Sequence, residues 1–444
     1  MRYFAPSIVL MSSVGLVLAA QACSEGDEEP TSGSTGTGGT QAADAVPDAV
    51  VAGSGGADGG KAGYDATAKG GSSGGGALDG SESDGSVRND GGETTAGSGA
   101  QTTAGSGASA AGSGGEPTGG TGGQPDEVER PSYNTGTGFF VANGTLYDAN
   151  GVVFRIRGVN KLHFDVSSPG IAKTHANTVR LSTPLFLSTS VNSGLIQDII
   201  DDKMVPMPAV WYTSDSWEEE DNVTCKSSHD TFNQAMDLWI AYASVFKPFE
   251  RYLLVNIANE WGPEDSTDWR DTYIDAVGRL RDAGYLTTLV IDSGGCGQDP
   301  HDIAKYAQAV FDSDPQKNII FDVHIYGMWA NGDGESWQND LDSSLDSLAS
   351  TGLPIIIGEF GPGRNIGPSP TEITPQEIIA AAEARGMGWL AWAWDDGDSD
   401  NWFALSYDGD YGGSDDLTTF GKIVVEDPTY GLLHLAQPAT SFTR

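Results

Sequence analysis

The distribution of apolar and polar residues changes abruptly near residue 131. From there onward, short apolar runs alternate with stretches in which apolar residues recur every three or four positions, as in helices that lie on a sheet. Eight strands joined by helices are what a closed (β/α)₈ barrel requires, so the pattern predicts an α/β fold of the TIM-barrel type. An open doubly wound sheet is the alternative, but no Gly-rich phosphate loop follows the first strand. The strand candidates are Phe154–Asn160, Thr178–Leu181, Val205–Tyr212, Tyr252–Asn259, Thr287–Asp292, Ile319–Tyr326, Pro354–Phe360 and Gly388–Trp394.

Local signals mark the helices between these strands. Thr374, Pro375 and Glu377 combine an N-cap, a proline at the first helical position and a capping-box glutamate. Three glycines stop helices just before a strand: Gly284, Gly352 and Gly386. The apolar helical positions are interpreted as core and not as a site. They are Phe232, Met236, Trp239, Ala243 and Phe246; Trp269, Tyr273, Val277 and Leu280; and Trp337, Leu341, Leu345 and Leu348.

A β-hairpin is predicted ahead of the first barrel strand. Two turn signals, Asn143-Gly144 and Asn150-Gly151, lie between strand-forming runs in residues 139–156. We expect this N-terminal hairpin to cover the bottom of the barrel.

Residues 24–130 have a different composition. They are rich in Gly, Ser, Thr, Ala and Asp, and they contain an imperfect repeat that begins at Thr94 and restarts at Thr102. Such a segment cannot bury enough apolar surface to offset its chain entropy, so it is predicted to be a disordered tether. The organisation predicted is a signal segment over residues 1–23, a linker over 24–130 and one folded domain over 131–444.

Residues 1–23 have the features of an export signal. Arg2 precedes a short apolar segment, Ile8–Ala20, which is too short for a comfortable membrane span. Ala20-Gln21-Ala22-Cys23 is similar to a bacterial lipoprotein cleavage site, which implies a diacylglycerol on Cys23. We therefore expect an exported protein, either a cell-surface lipoprotein or, with a plain secretory signal, a secreted one.

The formal net charge of −39 limits the classes of partner. Nucleic acids and anionic membrane surfaces need clustered Lys and Arg, so neither is expected to bind, and membrane contact is expected only through the lipid anchor on Cys23. The six histidines are scattered, with no His-x-x-x-His pair and no Cys/His ligand spacing. The sequence therefore implies no metal and no cofactor.

Polar side chains cluster where the predicted strands end. In a (β/α)₈ barrel, the carboxyl-terminal ends of the strands share one rim, and that rim carries the chemistry. Two glutamates delivered to one rim suggest paired-carboxylate chemistry, of which glycoside hydrolysis is the commonest kind. The residues at these ends are Asn160, His163, Arg180, Asn259, Glu260, His324, Tyr326, Glu359 and either Trp392 or Trp394.

Several of these motifs, taken in order, resemble family-five glycoside hydrolases, and among them most closely the bacterial endo-β-1,4-mannanases. The strand-end motifs that carry the resemblance are Asn259-Glu260, His324-Ile325-Tyr326 and Gly358-Glu359-Phe360-Gly361. Further motifs are Arg-Gly-Val-Asn at 157–160, Ala-Asn-Thr-Val-Arg at 176–180, Asn-Ile-Ala-Asn-Glu-Trp at 256–261 and Gly-Trp-Leu-Ala-Trp-Ala-Trp at 388–394.

The resemblance implies a role for each of these residues. Glu260 would be the general acid/base and Glu359 the nucleophile of a retaining mechanism. Arg180 and Tyr326 would keep the nucleophile ionised. Asn259 would donate to the sugar 2-hydroxyl, and Trp394, or Trp392 two residues earlier, would stack under the sugar. Asn160, His163, His324 and the loop aromatic Trp261 complete the expected substrate-binding set, although either histidine could be a core residue and Trp261 could simply close the barrel mouth.

The chain departs from the family pattern at two points. The family usually has a histidine at the end of the third strand, where this chain has Trp211 and Tyr212, and either could replace its contact to substrate. Cys296 stands where mannanases tend to have an aromatic residue. In an exported protein Cys225 and Cys296 can form a disulfide, but two unpaired thiols are an equal alternative.

The leading functional hypothesis is a retaining endo-β-1,4-mannanase acting on β-linked polysaccharide. The first rival is an endo-β-1,4-glucanase of the same family, although Trp261 after the acid, in place of the proline common in endoglucanases, favours mannan. The second rival is a surface carbohydrate-binding protein without turnover. Retention of both glutamates argues against it.

Overall fold

The structure, a computed structural model, describes residues 127–161, 169–182, 189–214, 219–330, 339–363, 373–395 and 403–443. Within these residues, a closed barrel of eight parallel strands runs in the order β11–β12–β3–β4–β5–β6–β7–β8. The predicted TIM barrel is therefore confirmed. The strands are β1 (Phe140–Ala142), β2 (Thr145–Tyr147), β3 (Arg157–Lys161), β4 (Thr178–Ser182), β5 (Val205–Ala209), β6 (Leu254–Asn256), β7 (Thr288–Asp292), β8 (Ile319–Ile325), β9 (Trp329–Ala330), β10 (Asn339–Asp340), β11 (Ile355–Phe360) and β12 (Gly388–Ala391).

Helices lie between successive barrel strands, as the sequence pattern predicts. Thr374 accepts the Glu377 N–H and Glu377 reaches back to the Thr374 N–H, which completes the expected capping box. Gly284, Gly352 and Gly386 all have positive φ after a helix, where a side chain would be strained. The α-helices of the described residues are α1 (Pro169–Lys173), α2 (Thr189–Asp201), α3 (His229–Ala241), α4 (Ala243–Phe246), α5 (Thr267–Asp282), α6 (Pro300–Ser313), α7 (Leu341–Ser350), α8 (Pro375–Ala384), α9 (Thr419–Glu426) and α10 (Leu432–Leu435).

The core has two layers, one inside the barrel and one between strands and helices. Helical stripe residues such as Phe232, Trp239 and Trp269 are at most 2% exposed and belong to the outer layer. Burial of one such side chain is worth roughly 1.5–3 kcal/mol, which explains why these helices stay on the sheet. Trp337, which the pattern also assigns to the core, lies outside the described residues. No helix in the described ranges is both long enough and apolar enough to cross a bilayer.

The amino-terminal hairpin closes one end of the barrel interior. β1 and β2 pair antiparallel around the turn at Asn143 and Gly144. Val141 and Leu146 pack in one cluster with barrel residues that include Leu254. The opposite end, where the strands finish, is left to carry the polar residues.

Candidate active site

Glu260 and Glu359 lie close together at the carboxyl-terminal rim. Glu260 follows β6 and Glu359 lies within β11, and one carboxylate oxygen of each is within 4.8 Å of the other. Retaining glycosidases hold their carboxyl groups about 5–5.5 Å apart, whereas inverting enzymes need about 6.5–9.5 Å to admit a water. Oxygens that approach this closely favour the retaining arrangement over one that admits a water between the two carboxyl groups.

Arg180 connects the residues around this pair. Its guanidinium donates to Glu359 Oε1 at 2.5 Å and to Asn259 Oδ1 at 2.8 Å. Asn160, its register partner on β3, accepts a third bond at 3.1 Å. Burial opposes the positive charge, but the carboxylates of Glu359 and Asp292 outweigh it and raise the pKa of Arg180 above its ordinary value. The side chain, 1% exposed, is a fixed cation beside Glu359.

Glu359 is held from both sides. The Tyr326 hydroxyl donates to its Oε2 at 3.0 Å, opposite the bond from Arg180 to Oε1. The register between β11 and β8 shifts on passing Gly358, and the Gly358 N–H donates to Asp322 Oδ1. A Cβ on Gly358 would collide with the Asp322 carboxylate, so only glycine fits. Burial raises the pKa of Glu359, while His324 and Arg180 act in the opposite direction and favour its ionised form.

Glu260 has an unusual backbone. Its φ of +52° lies in the left-handed region, which non-glycine residues rarely adopt. Its N–H donates to Asp292 Oδ2 at 2.9 Å, and its carboxylate oxygen Oε1 lies 2.8 Å from His324 Nδ1. The side chain is 19% exposed, so the carboxyl group meets both the protein and the open rim.

His324 is fully buried beneath the two glutamates. Its Nδ1 lies 3.7 Å from Glu359 Oε2, and its Nε2 lies 3.7 Å from Asp292 and 3.8 Å from Asp322. Burial disfavours a charge here, but Glu359, Asp322 and Glu260 outweigh it and raise the pKa of His324 well above its ordinary value. The raised pKa favours the imidazolium, whose Nδ1–H can donate to Glu260 Oε1. It contacts the Glu260 carboxyl group and is 0% exposed, which agrees with the alternative in which His324 is a core residue.

Two tryptophans form an aromatic surface at the rim. Trp211 and Trp392 stack with ring centroids 4.9 Å apart and planes 12° from parallel, and both are partly exposed. The Arg180 guanidinium lies over Trp211, 5.6 Å from its centroid. Trp211 follows β5 and therefore lies at the rim beside Arg180 and Trp392.

The expectation that Trp394 stacks under the sugar is wrong for this chain. Trp394 is 1% exposed, and its indole N–H donates to the Gly409 carbonyl at 2.8 Å. β12 ends at Ala391, so the alternation that gives two residues the same face does not continue to Trp394. Trp392 takes the exposed position.

Trp261 is also a core residue, which corrects its expected contact with substrate. It is 1% exposed and its ring packs on Phe232 with centroids 4.5 Å apart. This agrees with the alternative in which Trp261 closes the barrel mouth. Substrate contact was expected for Trp261 because it follows a strand end, but that position does not determine the direction in which the side chain points.

The sulfur atoms of Cys225 and Cys296 are bonded, so the disulfide alternative applies. The bridge lines a cavity of about 590 Å³ that reaches Glu260 and is otherwise lined by polar residues such as Asn222, Lys226 and Ser228.

His163 and Cys23 lie outside the described residues, so their expected roles remain predictions.

Three buried residues of this network were missed at the sequence level: Asp292, Asp322 and Asn256. Asp292 accepts the Asn256 side-chain amide at 2.6 Å, and Asn256 Oδ1 accepts from Arg180 at 3.0 Å. Burial raises the pKa of Asp322 to about 6. Asp292 ends a predicted strand, and that position was the signal available for it.

Two groups in the described ranges have the spacing of metal ligands. Arg180 already donates to Glu359 and to Asp292, one member of each group. A divalent ion beside this buried guanidinium would be repelled, so the spacing is explained by ion pairs. The groups are Glu260, His324 and Glu359, and Asp292, Asp322 and His324.

This rim, with its two glutamates and a hydrogen-bonded arginine, defines a glycoside hydrolase built on a (β/α)₈ barrel. Residues 197–398 match the family model described as Cellulase (glycosyl hydrolase family 5). The mannan endo-1,4-beta-mannosidase of Salipaludibacillus agaradhaerens is 35% identical over 320 residues, which cover 69% of this chain and 96% of that protein. The mannan endo-1,4-beta-mannosidase of Cellvibrio japonicus is 29% identical over 320 residues, 70% of each chain.

Solved structures with similar folds support the same family assignment. The beta-mannanase from Thermomonospora fusca superposes with a TM-score of 0.59 at 30% identity, over 69% of this chain and 99% of that one. Its mannotriose complex gives a TM-score of 0.57 at 31% identity over the same shares. The chain belongs to glycosyl hydrolase family 5, and it is a glycoside hydrolase.

Proposed function

We propose that this protein is a retaining endo-β-1,4-mannanase that cleaves mannan, galactomannan and glucomannan. The observation that carries the chemistry is the separation of at most 4.8 Å between carboxylate oxygens of Glu260 and Glu359. The substrate class is supported by relatives and solved structures that are named as mannanases and that match over nearly their full length.

The first half of the reaction forms a covalent intermediate. Glu359 attacks the anomeric carbon while Glu260 gives its proton to the departing glycosidic oxygen. Arg180 and Tyr326 both donate to Glu359, so its negative charge and its direction are fixed before substrate arrives. In the second half, Glu260 removes a proton from water, which attacks the glycosyl-enzyme and releases the sugar with its original configuration.

We assign recognition of the sugar 2-hydroxyl to Asn259. Its Oδ1 accepts from Arg180, which fixes the amide orientation and directs Nδ2 as a donor. Among the described residues Nδ2 donates no hydrogen bond, and the backbone N–H donates to the Val210 carbonyl at 2.9 Å. Contacts to the 2-hydroxyl strengthen in the transition state and contribute to the rate.

A panel of polysaccharides tests the substrate class. The full chain is incubated with linear mannan, galactomannan, glucomannan and carboxymethylcellulose, and the products are followed by size. The proposal predicts mixed oligosaccharides from the three mannans at rates at least tenfold above carboxymethylcellulose. Faster cleavage of carboxymethylcellulose would establish the endoglucanase alternative. Binding of mannan oligosaccharides without any cleavage would establish the carbohydrate-binding alternative.

We also propose that the protein is exported and anchored through a diacylglycerol on Cys23. The support is the signal-like pattern of residues 1–23 and the composition of the tether that follows. Mass spectrometry of the N-terminal peptide checks this. A diacylglyceryl adduct on Cys23, absent from Cys23→Ala, is expected, and a mature N-terminus elsewhere without lipid would contradict it.

A further inference from the structure

Asp292 is a fully buried carboxylate that contacts both Glu260 and Arg180, the cation beside Glu359. It lies at the end of β7 and is 0% exposed. Its Oδ1 accepts the Asn256 amide at 2.6 Å, and its Oδ2 accepts the Glu260 N–H at 2.9 Å and Arg180 Nη2 at 3.2 Å. Nothing in the chemistry requires a third carboxylate to touch the sugar, so these contacts need a different explanation.

The first part of the explanation is the backbone of Glu260. A φ of +52° is a strained conformation for a glutamate, and it persists only where the surrounding structure holds it. The bond from the Glu260 N–H to Asp292 is the direct restraint on that peptide unit. Because side-chain direction depends on φ and ψ, a peptide that relaxes out of this conformation moves the carboxyl group away from the glycosidic oxygen.

The second part is the imidazole of His324. Its Nε2 is buried, makes no hydrogen bond within the described residues and lies 3.7 Å from Asp292 Oδ2. Its Nδ1 lies 2.8 Å from Glu260 Oε1. Asp292 therefore accepts a hydrogen bond from the main chain of Glu260 and also lies beside His324, the side chain that contacts the Glu260 carboxyl group.

We propose that Asp292 is a positioning residue for the acid/base Glu260. This role rests on the proposed retaining β-mannanase function. The groups that hydrogen-bond to the Asp292 carboxylate are all donors: Asn256, Glu260 and Arg180. An asparagine in its place must turn an NH₂ group toward one of them, so Asp292→Asn loses a restraint although its shape is preserved.

The leaving group of the substrate separates positioning of the acid from general damage. An unactivated oligosaccharide needs a proton from Glu260 to depart, whereas 2,4-dinitrophenolate departs without one. The value of kcat/KM reports steps up to the first irreversible one, which here is formation of the glycosyl-enzyme. General acid catalysis contributes about 10²–10⁴-fold. In the full chain, Asp292→Asn is expected to lower kcat/KM for mannotetraose about 100-fold and for 2,4-dinitrophenyl β-mannobioside by less than about fivefold.

Asp314→Asn is the matched control. Asp314 is also a buried carboxylate, is paired with Arg281 at 2.8 Å and accepts backbone N–H groups of Gln316 and Asn318. It follows α6 and precedes β8, so it lies at the opposite end of the barrel. Both variants are expected to lose stability, but Asp314→Asn should change the two kcat/KM values by the same small factor.

The outcomes are distinguishable. An equal loss on both substrates for Asp292→Asn, with the wild type active, overturns the positioning role and leaves the proposed function intact. A wild-type protein that cleaves neither substrate refutes the proposed function and, with no acid step to support, the role of Asp292 as well. A loss confined to mannotetraose, smaller than that of Glu260→Ala on the same substrate, is the expected result.

Discussion

The hydroxyl of Tyr326 donates to Glu359 Oε2 at 3.0 Å, on the side of the carboxylate opposite Arg180. Hydrogen bonds to the ionised form of a carboxylate favour that form, and bonds to charged groups are worth about 1.5–3 kcal/mol. The pair therefore links the orientation of the nucleophile to its protonation state.

Tyr326→Phe removes this bond with little change in shape. Because the bond stabilises the carboxylate, its loss raises the pKa of Glu359, and the ionised nucleophile then requires a higher pH. We expect kcat to fall about 10–100-fold and the acidic limb of the pH profile to move upward by about one pH unit. A profile that keeps its acidic limb, or that moves it to lower pH, would show that Tyr326 does not tune Glu359.

Removal of either glutamate should abolish cleavage without abolishing binding. Glu260→Ala and Glu359→Ala should each lower kcat on mannan by at least about 10³-fold, because each removes one of the two groups that the mechanism needs. Calorimetric titration with mannohexaose should give dissociation constants within about tenfold of wild type. Turnover that survives in either variant would remove that residue from the assigned role.

Trp392 and Trp394 should respond to alanine in opposite ways. Trp392→Ala removes a partly exposed ring at the rim, so kcat/KM should fall about tenfold with a smaller loss of stability than that of Trp394→Ala. Trp394→Ala opens a cavity in the core, so the free energy of unfolding should fall by about 3–5 kcal/mol. Urea denaturation and steady-state kinetics of both variants decide the matter, and a stable Trp394→Ala with impaired kinetics would restore the family-based assignment.

The disulfide should be a stability element of the folded domain. Cys225 and Cys296 are separated by 71 residues, and a loop of that length predicts a loss of about 4 kcal/mol on the chain-entropy model when the bridge is absent. The variant Cys225→Ser/Cys296→Ser should therefore have a clearly lower Tm. Wild type treated with a reductant should approach the same Tm, and equal values for oxidised and reduced protein would count against a formed bridge.

The sequence was sufficient to predict the barrel and the meeting of its two strand-end glutamates at one rim. Parallel strands bring their carboxyl ends to one rim, so residues at or just after those ends, such as Arg180, Glu260 and Glu359, meet there. The predicted boundaries of the strands were less accurate. The fourth barrel strand was predicted as Tyr252–Asn259, but β6 covers Leu254–Asn256, because the apolar Ile257 and Ala258 are buried in the loop that follows.

Side-chain direction beyond a strand end could not be predicted from periodicity. Trp261 and Trp394 lie after β6 and β12, where no alternation applies, and both are buried. Asp292 and Asp322 were missed for a related reason. Asp292 contacts Glu260, and Asp322 contacts Gly358 and His324. These contacts depend on the three-dimensional fold and on side-chain conformation, which a pattern of apolar and polar residues does not contain.

Proton NMR of the first product formed tests the central claim most directly. Full-length protein is mixed with mannopentaose, and the anomeric signals of the new reducing ends are recorded before mutarotation. Carboxylate oxygens within 4.8 Å of one another predict that the β-anomer appears first and then relaxes toward equilibrium. Initial formation of the α-anomer would mean inversion through a single displacement by water, and it would contradict the assignment of Glu359 as a nucleophile.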